Sequence, residues 1–347
     1  MKPIAMTRRA MKQRRTALRW LGSGVLTAVT SSLQARVSDS GWPSSRTIRL
    51  LVAYPVGGVS DQVARDLAQQ LSAQLSVQVI VENRPGAAGS IAMEIVMRSA
   101  SDGHTLGFAA VSALRSPHMV VCADRSAYPS GDSKHAGKVL ALTPVAGVMH
   151  TPVLIAGTRA LSAASFGDML RWAYTRPDAI RWATTGEGTT GHAVLQHVSR
   201  ASGIQVVHVP YKGGGQQIVD AIGGHFEVLS TNVAHTQLRA IAAGQLSALA
   251  VGTPKRLLTL PDTPTLAELG FPQANLDSLF GVFVAPHTPA EIVFRIHAAV
   301  TRALHHSPLA GKLVAMSNIP FAGSVRDFEA EVVRRTQINP HPEFPCK

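Results

Sequence analysis

Glycine-rich turns that separate predicted strands from predicted helices constrain the fold of this chain most. They lie at residues 57–58, 86–89, 186–191 and 213–215. The first follows a strand predicted from Arg46 to Tyr54 and precedes a helix with apolar residues at four-residue spacing. The residues on this apolar face are Val63, Leu67, Leu71 and Leu75. Repeated strand–turn–helix units with short loops are typical of parallel sheets covered by helices, so we predict an α/β fold.

Polar residues mark the expected helix starts. Ser60 or Asp61 is placed to cap the first helix. The sequence Thr288-Pro289-Ala290-Glu291 predicts a capping box before a long helix near the end of the chain. Ser324 and Asp327 repeat this pattern before a final helix.

The distribution of charge argues against a nucleic-acid partner. Lys and Arg number 33 against 21 Asp and Glu, which gives a formal net charge of +12. Seven of these cations precede residue 20, however, and no acidic residue occurs before Asp39. The remaining excess is spread along the chain, whereas DNA or RNA binding requires a dense stripe of cations. We therefore predict no nucleic-acid partner.

Residues 1–35 are predicted to be an export signal that is cleaved. Their basic start precedes an apolar stretch from Leu18 to Val29, which is shorter than the roughly 20 residues of a membrane span. The pair Arg14-Arg15 resembles a twin-arginine signal, and a Sec signal fits nearly as well. Ala35 is the best cleavage candidate. We therefore expect the mature protein in the periplasm.

The glycine-rich turns are candidate anion-binding sites. In open α/β sheets, ligands bind beyond the carboxyl ends of the strands, where helix N-termini present N–H groups that have no partner within the helix. Glycine lets the backbone approach a ligand closely, although any single turn of this kind is more often only a tight connection. Ser60, Thr189 and Thr190 stand beside the turns and add hydroxyl groups. The set of turns as a whole therefore predicts a binding site.

One of these turns also matches a nucleotide-binding pattern. Residues 186–191 read G-x-G-x-x-G between a strand and a helix, the dinucleotide fingerprint. The acidic residue that would bind a ribose about 20 positions further on is missing from Val206-Val207-His208-Val209. The sequence also contains no Walker loop, no G-x-S-x-G elbow and no H-E-x-x-H motif. An exported or nucleotide-dependent enzyme that uses the Gly186–Gly191 turn is therefore the alternative to a binding protein without catalysis.

Several side chains at the turns allow two interpretations. His192 either donates to a ligand oxygen or is a helix-start histidine with no ligand. Asp61 either caps its helix or also orders water in a cleft, and Asn232 hydrogen-bonds either a ligand or a turn. Tyr54 is either a core residue or a shelf for a ligand. Lys212 either attracts an anion or is simply solvated.

Motifs spread over about residues 46–335 point to one family when they are taken together. In the first third of the chain they are Ile48–Pro55 leading into Gly57-Gly58 and Asp61, Val81–Ala87 with Gly89, and Asp102–Leu106. Further on they are Thr185–His192, Val209–Gly213, Ala248–Val251 and Leu260–Thr265. In this order and spacing they resemble the Bug-type solute-binding receptors of tripartite tricarboxylate transporters.

This resemblance implies a fold and a partner. The fold is α/β, with two domains of the type II periplasmic-binding-protein kind and a ligand cleft between the lobes. Domain 1 would hold residues 46–145 and 252–336 and domain 2 residues 146–251, so that two chain crossings form a hinge. Membrane permease subunits of a tripartite tricarboxylate transporter are the implied partners, a small carboxylate is the implied ligand, and no cofactor is implied.

The resemblance also implies which residues form the site. The loop from Tyr54 to Asp61 and the turn from Thr185 to His192 would face each other and hold a ligand carboxylate through N–H groups and hydroxyls, partly through water. The expected ligand-binding residues are Tyr54, Gly57, Gly58, Ser60, Asp61, Thr185, Gly186, Gly188, Thr189, His192 and Asn232. No catalytic residue and no metal ligand is expected.

The chain departs from the family pattern in three places. Residues 122–138 do not match the usual segment there, Thr231 replaces the usual acidic residue, and residues 337–347 form a divergent tail. The two cysteines, Cys122 and Cys346, form no C-x-x-C motif and by themselves predict no disulfide.

Overall fold

A computed structural model describes most of the chain, namely residues 41–115, 120–121, 139–140, 142–176 and 180–337. The chain divides into two compact units, residues 1–44 and residues 45–347. Residues 41–44 are the described part of the first unit, and everything below concerns the second. The predicted export signal with Ala35, both cysteines, residues 122–138 and the tail after Gln337 lie outside the described residues.

The strands alternate with helices for much of the chain. The strands are β1 (Ile48–Val52), β2 (Val79–Asn83), β3 (Thr105–Ala110), β4 (Val120–Val121), β5 (Val139–Leu140), β6 (Thr143–Thr158), β7 (Arg181–Thr184), β8 (Val207–Pro210), β9 (Val228–Asn232), β10 (Leu246–Gly252), β11 (Asp277–Val284) and β12 (Ile319–Pro320). The α-helices are α1 (Val59–Leu75), α2 (Ser90–Met97), α3 (Phe166–Thr175), α4 (Thr190–Ser202), α5 (Gly214–Gly223), α6 (His235–Ala242), α7 (Ala290–His306), α8 (Pro308–Ala315) and α9 (Val325–Gln337). Short 3₁₀ turns lie at Ala87–Gly89, Val111–Arg115 and Pro272–Ala274.

The main sheet is mixed rather than purely parallel. Its strand order is β2-β1-β3-β11-β6-β9-β7-β8, and β10 and β12 also pair with β6. β1 is parallel to β2 and β3, and β7 is parallel to β8 and β9. β9, β10 and β11 are antiparallel to β6. The predicted parallel pairing is therefore right for β1, β2 and β3 and for β7, β8 and β9, and wrong at the centre, where β6 is antiparallel to its neighbours.

The long strand β6 joins two halves of the sheet. Its residues from Thr143 to Pro152 pair with β11, and those from Val153 to Gly157 pair with β9. We call β2, β1, β3 and β11 the first half and β10, β9, β7 and β8 the second half. The chain returns to the first half through residues 253–276, which connect β10 to β11.

Apolar stripes on the helices build the core of each half. Val63, Leu67 and Leu71 of α1 are fully buried, as their four-residue spacing predicts. In the second half, Trp182 of β7 and Val198 of α4 belong to one fully buried cluster. Each such side chain contributes about 1.5–3 kcal/mol to folding by leaving water. Within the described residues, no helix has the length and apolar character to cross a membrane.

Of the two predicted capping boxes, one forms. Ser324 N–H donates to Asp327 Oδ2 at 2.7 Å, and Asp327 N–H donates to Ser324 Oγ at 3.2 Å, at the start of α9. At α7 the expectation is wrong, because Pro289 occupies the N-cap position and the helix starts too late for Thr288. The Thr288 hydroxyl instead donates to the carbonyl oxygen of Ala285 at 2.8 Å.

Candidate functional site

The loop between β1 and α1 is closed by its own carboxylate. α1 begins at Val59 with Gly58 at the N-cap and without a capping side chain, so the expectation that Ser60 or Asp61 caps this helix is wrong. Asp61 Oδ2 instead accepts the N–H of Gly57 at 3.0 Å. Gly57 has a φ of +89°, in the left-handed region that favours glycine. The Asp61 side chain therefore reaches back to hold the loop, and the Gly57 amide is engaged there.

Asp61 is the centre of a buried hydrogen-bond network. The residue is 2% exposed, and its carboxylate accepts from Asn83 Nδ2 at 2.8 Å and from Arg65 Nε at 3.1 Å. The same Asn83 amide donates to the carbonyl oxygen of Tyr54 at 3.0 Å. Burial by itself raises the pKa of Asp61, but the hydrogen bonds from Arg65, Gly57 and Asn83 outweigh burial and hold the pKa below its ordinary value. Asp61 is therefore ionised, and Arg65 matches its charge.

Tyr54 connects this loop to the aromatic core. Its hydroxyl oxygen accepts the N–H of Ala110 at 3.3 Å, and its ring meets Phe280 edge-on at 5.8 Å between centroids. Phe280 in turn stacks on Phe108 at 5.8 Å. Burial raises the pKa of Tyr54 to about 12, so the phenol is neutral at physiological pH. Tyr54 thus braces the end of β3 and is half-buried.

The turn between β7 and α4 is also closed internally. Thr184 Oγ1 accepts the N–H of Gly186 at 3.2 Å, and Thr189 Oγ1 donates to the Gly186 carbonyl oxygen at 2.7 Å. Thr189 also caps α4 by accepting the N–H of His192 at 3.4 Å. His192 Nδ1 accepts the N–H of Gly188 at 3.0 Å. The amides of Gly186 and Gly188 and the Thr189 hydroxyl, all expected at the ligand, are thus engaged within the turn.

Helix α4 lies directly against β9. A Cβ atom added to Gly191 would lie 2.8 Å from the carbonyl oxygen of Ser230. The Ser230 hydroxyl donates to the Gly191 carbonyl oxygen at 2.7 Å and accepts from Trp182 Nε1 at 3.1 Å. The glycine at position 191 is therefore required by helix–strand packing. Thr185 and Thr190, beside the turn, are half-buried.

Turns from both halves of the sheet touch each other. The turn between β8 and α5 contains Gly213, where an added Cβ atom would lie 2.6 Å from the Cδ atom of Pro55 in the β1–α1 loop. The same turn adjoins the β7–α4 turn, since a Cβ atom on Gly186 would lie 3.3 Å from the carbonyl oxygen of Tyr211. The structure therefore brings together the Tyr54–Asp61 loop and the Thr185–His192 turn, with the β8–α5 turn between them.

Asn232, the last residue of β9, links the two halves at β6. Its Oδ1 accepts the hydroxyl hydrogen of Ser278 on β11 at 2.7 Å. The neighbouring Thr231, which replaces the acidic residue usual in the resembled family, is 2% exposed. Lys212 is exposed in the β8–α5 turn. Asn232 therefore has a structural partner within the fold.

The N-termini of α1 and α4 provide the donors that these internal bonds leave over. N–H groups in the first turn of a helix have no partner within the helix, and the helix dipole makes this end positive. Val59 and Ser60 occupy this position in α1, and Thr190 and Gly191 occupy it in α4. Among the described residues, no group of three or more His, Cys, Asp or Glu side chains is placed to hold a metal ion. The arrangement can therefore hold an anion through neutral donors.

Sequence reasoning missed two residues beside the turn. Thr184 Oγ1 lies 2.8 Å from His208 Nε2, and the His208 ring stacks on the His192 ring at 4.4 Å between centroids. Thr184 carried a usable signal, because it is a hydroxyl residue two positions before a glycine-rich turn. His208 carried none, because its contact depends on the register between β7 and β8.

Solved structures with the same fold are periplasmic binding proteins. A structure described as a periplasmic transporter has a TM-score of 0.73 and 28% sequence identity, covering 84% of this chain and 94% of that chain. The R. palustris protein Rpa4515, solved with adipate, has a TM-score of 0.72 and 29% identity, covering 85% and 96%. The periplasmic binding protein BugD, at 22% identity and a TM-score of 0.74, supports the fold alone. The chain thus has the two-lobed fold of periplasmic solute-binding proteins, as predicted.

Sequence comparison defines the family. The family described as "Tripartite tricarboxylate transporter family receptor" matches residues 63–336. Protein BugT of Bordetella pertussis is 29% identical over 312 residues, which cover 88% of this chain and 91% of BugT. A UPF0065 protein of Agrobacterium vitis is 28% identical over 321 residues, which cover 90% and 89%. The chain therefore belongs to the tripartite tricarboxylate transporter receptor family, which confirms the resemblance seen in the sequence motifs.

Proposed function

We propose that the protein is exported to the periplasm, binds a small carboxylate between its two lobes and delivers it to the membrane subunits of a tripartite tricarboxylate transporter. The observation that carries this proposal is the contact between Pro55 of the β1–α1 loop and Gly213 of the β8–α5 turn, which also adjoins the β7–α4 turn at Gly186. In this proposal residues 46–145 and 252–336 form one lobe, residues 146–251 form the other, and residues 1–35 are removed after export.

The donors at the site favour an anion. The N-termini of α1 and α4 offer N–H groups at the positive end of a helix dipole. The Ser60 hydroxyl, in a residue that is 6% exposed, and the half-buried Thr185 stand beside them. The one buried carboxylate of the loop, Asp61, is matched by Arg65 and so repels an incoming anion little. The adipate bound to the related Rpa4515 supports a carboxylate as the ligand class.

We divide the expected site residues into two roles. Gly57, Asp61, Gly186, Gly188, Thr189 and His192 hold the shapes of the two turns, because their polar atoms bond to one another. Gly58, Ser60 and Thr185 face the ligand. Tyr54 and Asn232 hold the strands beside the site in place, through Ala110 of β3 and Ser278 of β11. Because a ligand contacts both lobes only when they approach, binding favours the closed arrangement.

We propose no catalysis and no cofactor for this site. The alternative of a nucleotide-dependent enzyme needs free amides in the Gly186–Gly191 turn to hold a pyrophosphate. The amides of Gly186 and Gly188 donate to Thr184 and His192 instead. The family and the structural relatives are receptors, which supports the same conclusion.

Thermal denaturation with a panel of compounds tests the proposal. The panel holds adipate, malate, succinate, nicotinate, NAD and ATP, each at millimolar concentration. A ligand at 100 times its Kd stabilises the folded state by about 2.7 kcal/mol, which raises the Tm by roughly 5 °C for a chain of this size. We expect such a rise with one or two carboxylates and none with NAD or ATP. A rise with a nucleotide alone would overturn the receptor assignment in favour of the enzyme.

A further inference from the structure

His208 is not among the predicted site residues, yet it contacts Thr184 and His192, on either side of the β7–α4 turn. It sits on β8, beside Trp182 of β7 in the sheet register. Its Nε2 atom lies 2.8 Å from Thr184 Oγ1, the hydroxyl that also accepts the Gly186 N–H. Its ring lies almost parallel to the ring of His192, with an interplanar angle of 8° and 4.4 Å between centroids.

The hydrogen bond made by His192 defines its protonation. A ring nitrogen that accepts a hydrogen bond carries no proton. Since His192 Nδ1 accepts the Gly188 N–H at 3.0 Å, the ring is neutral and its proton is on Nε2. The bond also fixes the plane of the ring, because rotation about the Cβ–Cγ bond would move Nδ1 away from the amide. The shape of the turn around Gly188 therefore depends on the orientation of the His192 ring.

His208 stacks on the His192 ring and supports this orientation. Its own ring is held in place by Thr184 through either ring tautomer, because a hydroxyl donates as well as accepts. Burial lowers the pKa of His208, although the nearby Glu187 carboxylate acts in the opposite direction. A neutral His208 suits a stack on a neutral His192, since two imidazolium rings at this distance would repel each other.

We propose that His208 is a positioning residue for the ligand site: anchored to Thr184, it holds the His192 ring in the plane that accepts the Gly188 amide and so keeps the β7–α4 turn in its binding shape. The proposal rests on the proposed function for its effect on ligand binding. Its effect on the His192 ring does not depend on any ligand.

Two substitutions of similar size test this role. His208→Gln keeps a planar polar group that reaches Thr184 at the position of Nε2, whereas His208→Leu fills the same space without a polar atom. Val207→Ala, at an exposed position on the same strand, is the control. A purely structural role for position 208 predicts that Leu is tolerated at least as well as Gln, because leucine suits a half-buried strand position better. Our proposal predicts the reverse.

Two readouts on the purified full chain separate the outcomes. Imidazole ¹⁵N NMR without ligand, assigned with a His192→Gln variant, reports the tautomer of His192. We expect the Nε2–H tautomer in the wild type, in His208→Gln and in Val207→Ala, and a mixture of tautomers in His208→Leu. Calorimetry with adipate as the probe should show Kd raised about threefold to tenfold in His208→Leu, the equivalent of one lost hydrogen bond, and within about twofold of wild type in the other two variants.

Each result decides whether His208 positions His192 or has a purely structural role. An unchanged His192 tautomer in His208→Leu would overturn the proposal, whatever the adipate affinity. An altered tautomer with unchanged Kd would show that the turn does not contribute to binding, which also overturns it. If the wild type binds neither adipate nor the other carboxylates of the panel, the proposed function fails, and the tautomer measurement still decides whether His208 positions His192.

Discussion

Alanine at Gly188, with Gly203 as its matched control, separates ligand binding from backbone strain. Gly188 lies before α4 and Gly203 ends it, with φ values of +75° and +77°. At both positions an added Cβ atom would meet nothing within 4 Å. An L-residue in this left-handed conformation costs about 1 kcal/mol. The two variants should therefore lose the same stability, with Tm lower by roughly 2 °C in calorimetric scans.

Their effects on binding should differ. The amide of Gly188 is held by His192 in the turn that the proposal places at the ligand, so backbone strain at this position distorts that turn, whereas Gly203 lies at the other end of α4. We expect the Kd for the best-binding carboxylate to rise about tenfold or more in Gly188→Ala, equivalent to about 1.4 kcal/mol. Gly203→Ala should bind with the wild-type Kd in the same titration. Equal affinity in both variants would refute the role assigned to the turn, and a much larger Tm loss in Gly188→Ala would mean that the turn unfolds.

Three further substitutions test the packing and charge arguments. Arg335→Ala removes the guanidinium that donates to Asp277 Oδ1 at 2.8 Å. Because the pair is partly exposed, we expect the free energy of unfolding to fall by about 1–3 kcal/mol in urea denaturation. An unchanged midpoint would contradict the contribution of the pair. Gly191→Ala places a methyl group 2.8 Å from a carbonyl oxygen of β9 and should lower the Tm by several degrees, whereas a wild-type Tm would show that α4 can move away. Hydrogen bonds from Arg49 lower the pKa of Glu82 to about 2. The contribution of Glu82 to stability is therefore present above its unfolded pKa and is lost as the pH falls toward 2. In Arg49→Ala the free energy of unfolding should depend less on pH in this range, and an unchanged pH dependence would show that the pair has no net effect.

Part of the fold was predictable from neighbours in sequence, although two equally local helix caps, at Ser60 or Asp61 and at Thr288, did not form. The buried stripe Val63, Leu67 and Leu71 and the capping box of Ser324 and Asp327 both involve residues three or four positions apart. The antiparallel centre around β6 was not predictable, because no local pattern shows which distant strands become its neighbours. The domain boundaries follow from the resemblance alone and stay a prediction.

The positions of the glycine-rich turns were predictable from the sequence, but their hydrogen bonds were not. Glycine patterns show where the backbone can turn sharply, and they located both the β1–α1 loop and the β7–α4 turn. They do not show that the Gly57 amide donates to Asp61 or that the Gly188 amide donates to His192. Those pairings depend on side-chain rotamers and, for His208, on the register of two strands. An interpretation that gives every glycine amide to the ligand is therefore too simple.

The internal bonds give the glycine-rich turns of the proposed site a fixed shape before any ligand binds. A glycine-rich loop that is disordered before binding would lose conformational entropy on binding, at about 1–2 kcal/mol per ordered backbone residue. Here Asp61 holds one loop through Gly57 and Asn83, and His192 holds the opposite turn through Gly188. Because these bonds exist before a ligand arrives, this entropy is already lost in the folded protein. In the proposed site, the amides that do not face the ligand would contribute to binding indirectly, by fixing the positions of the helix N-termini that do.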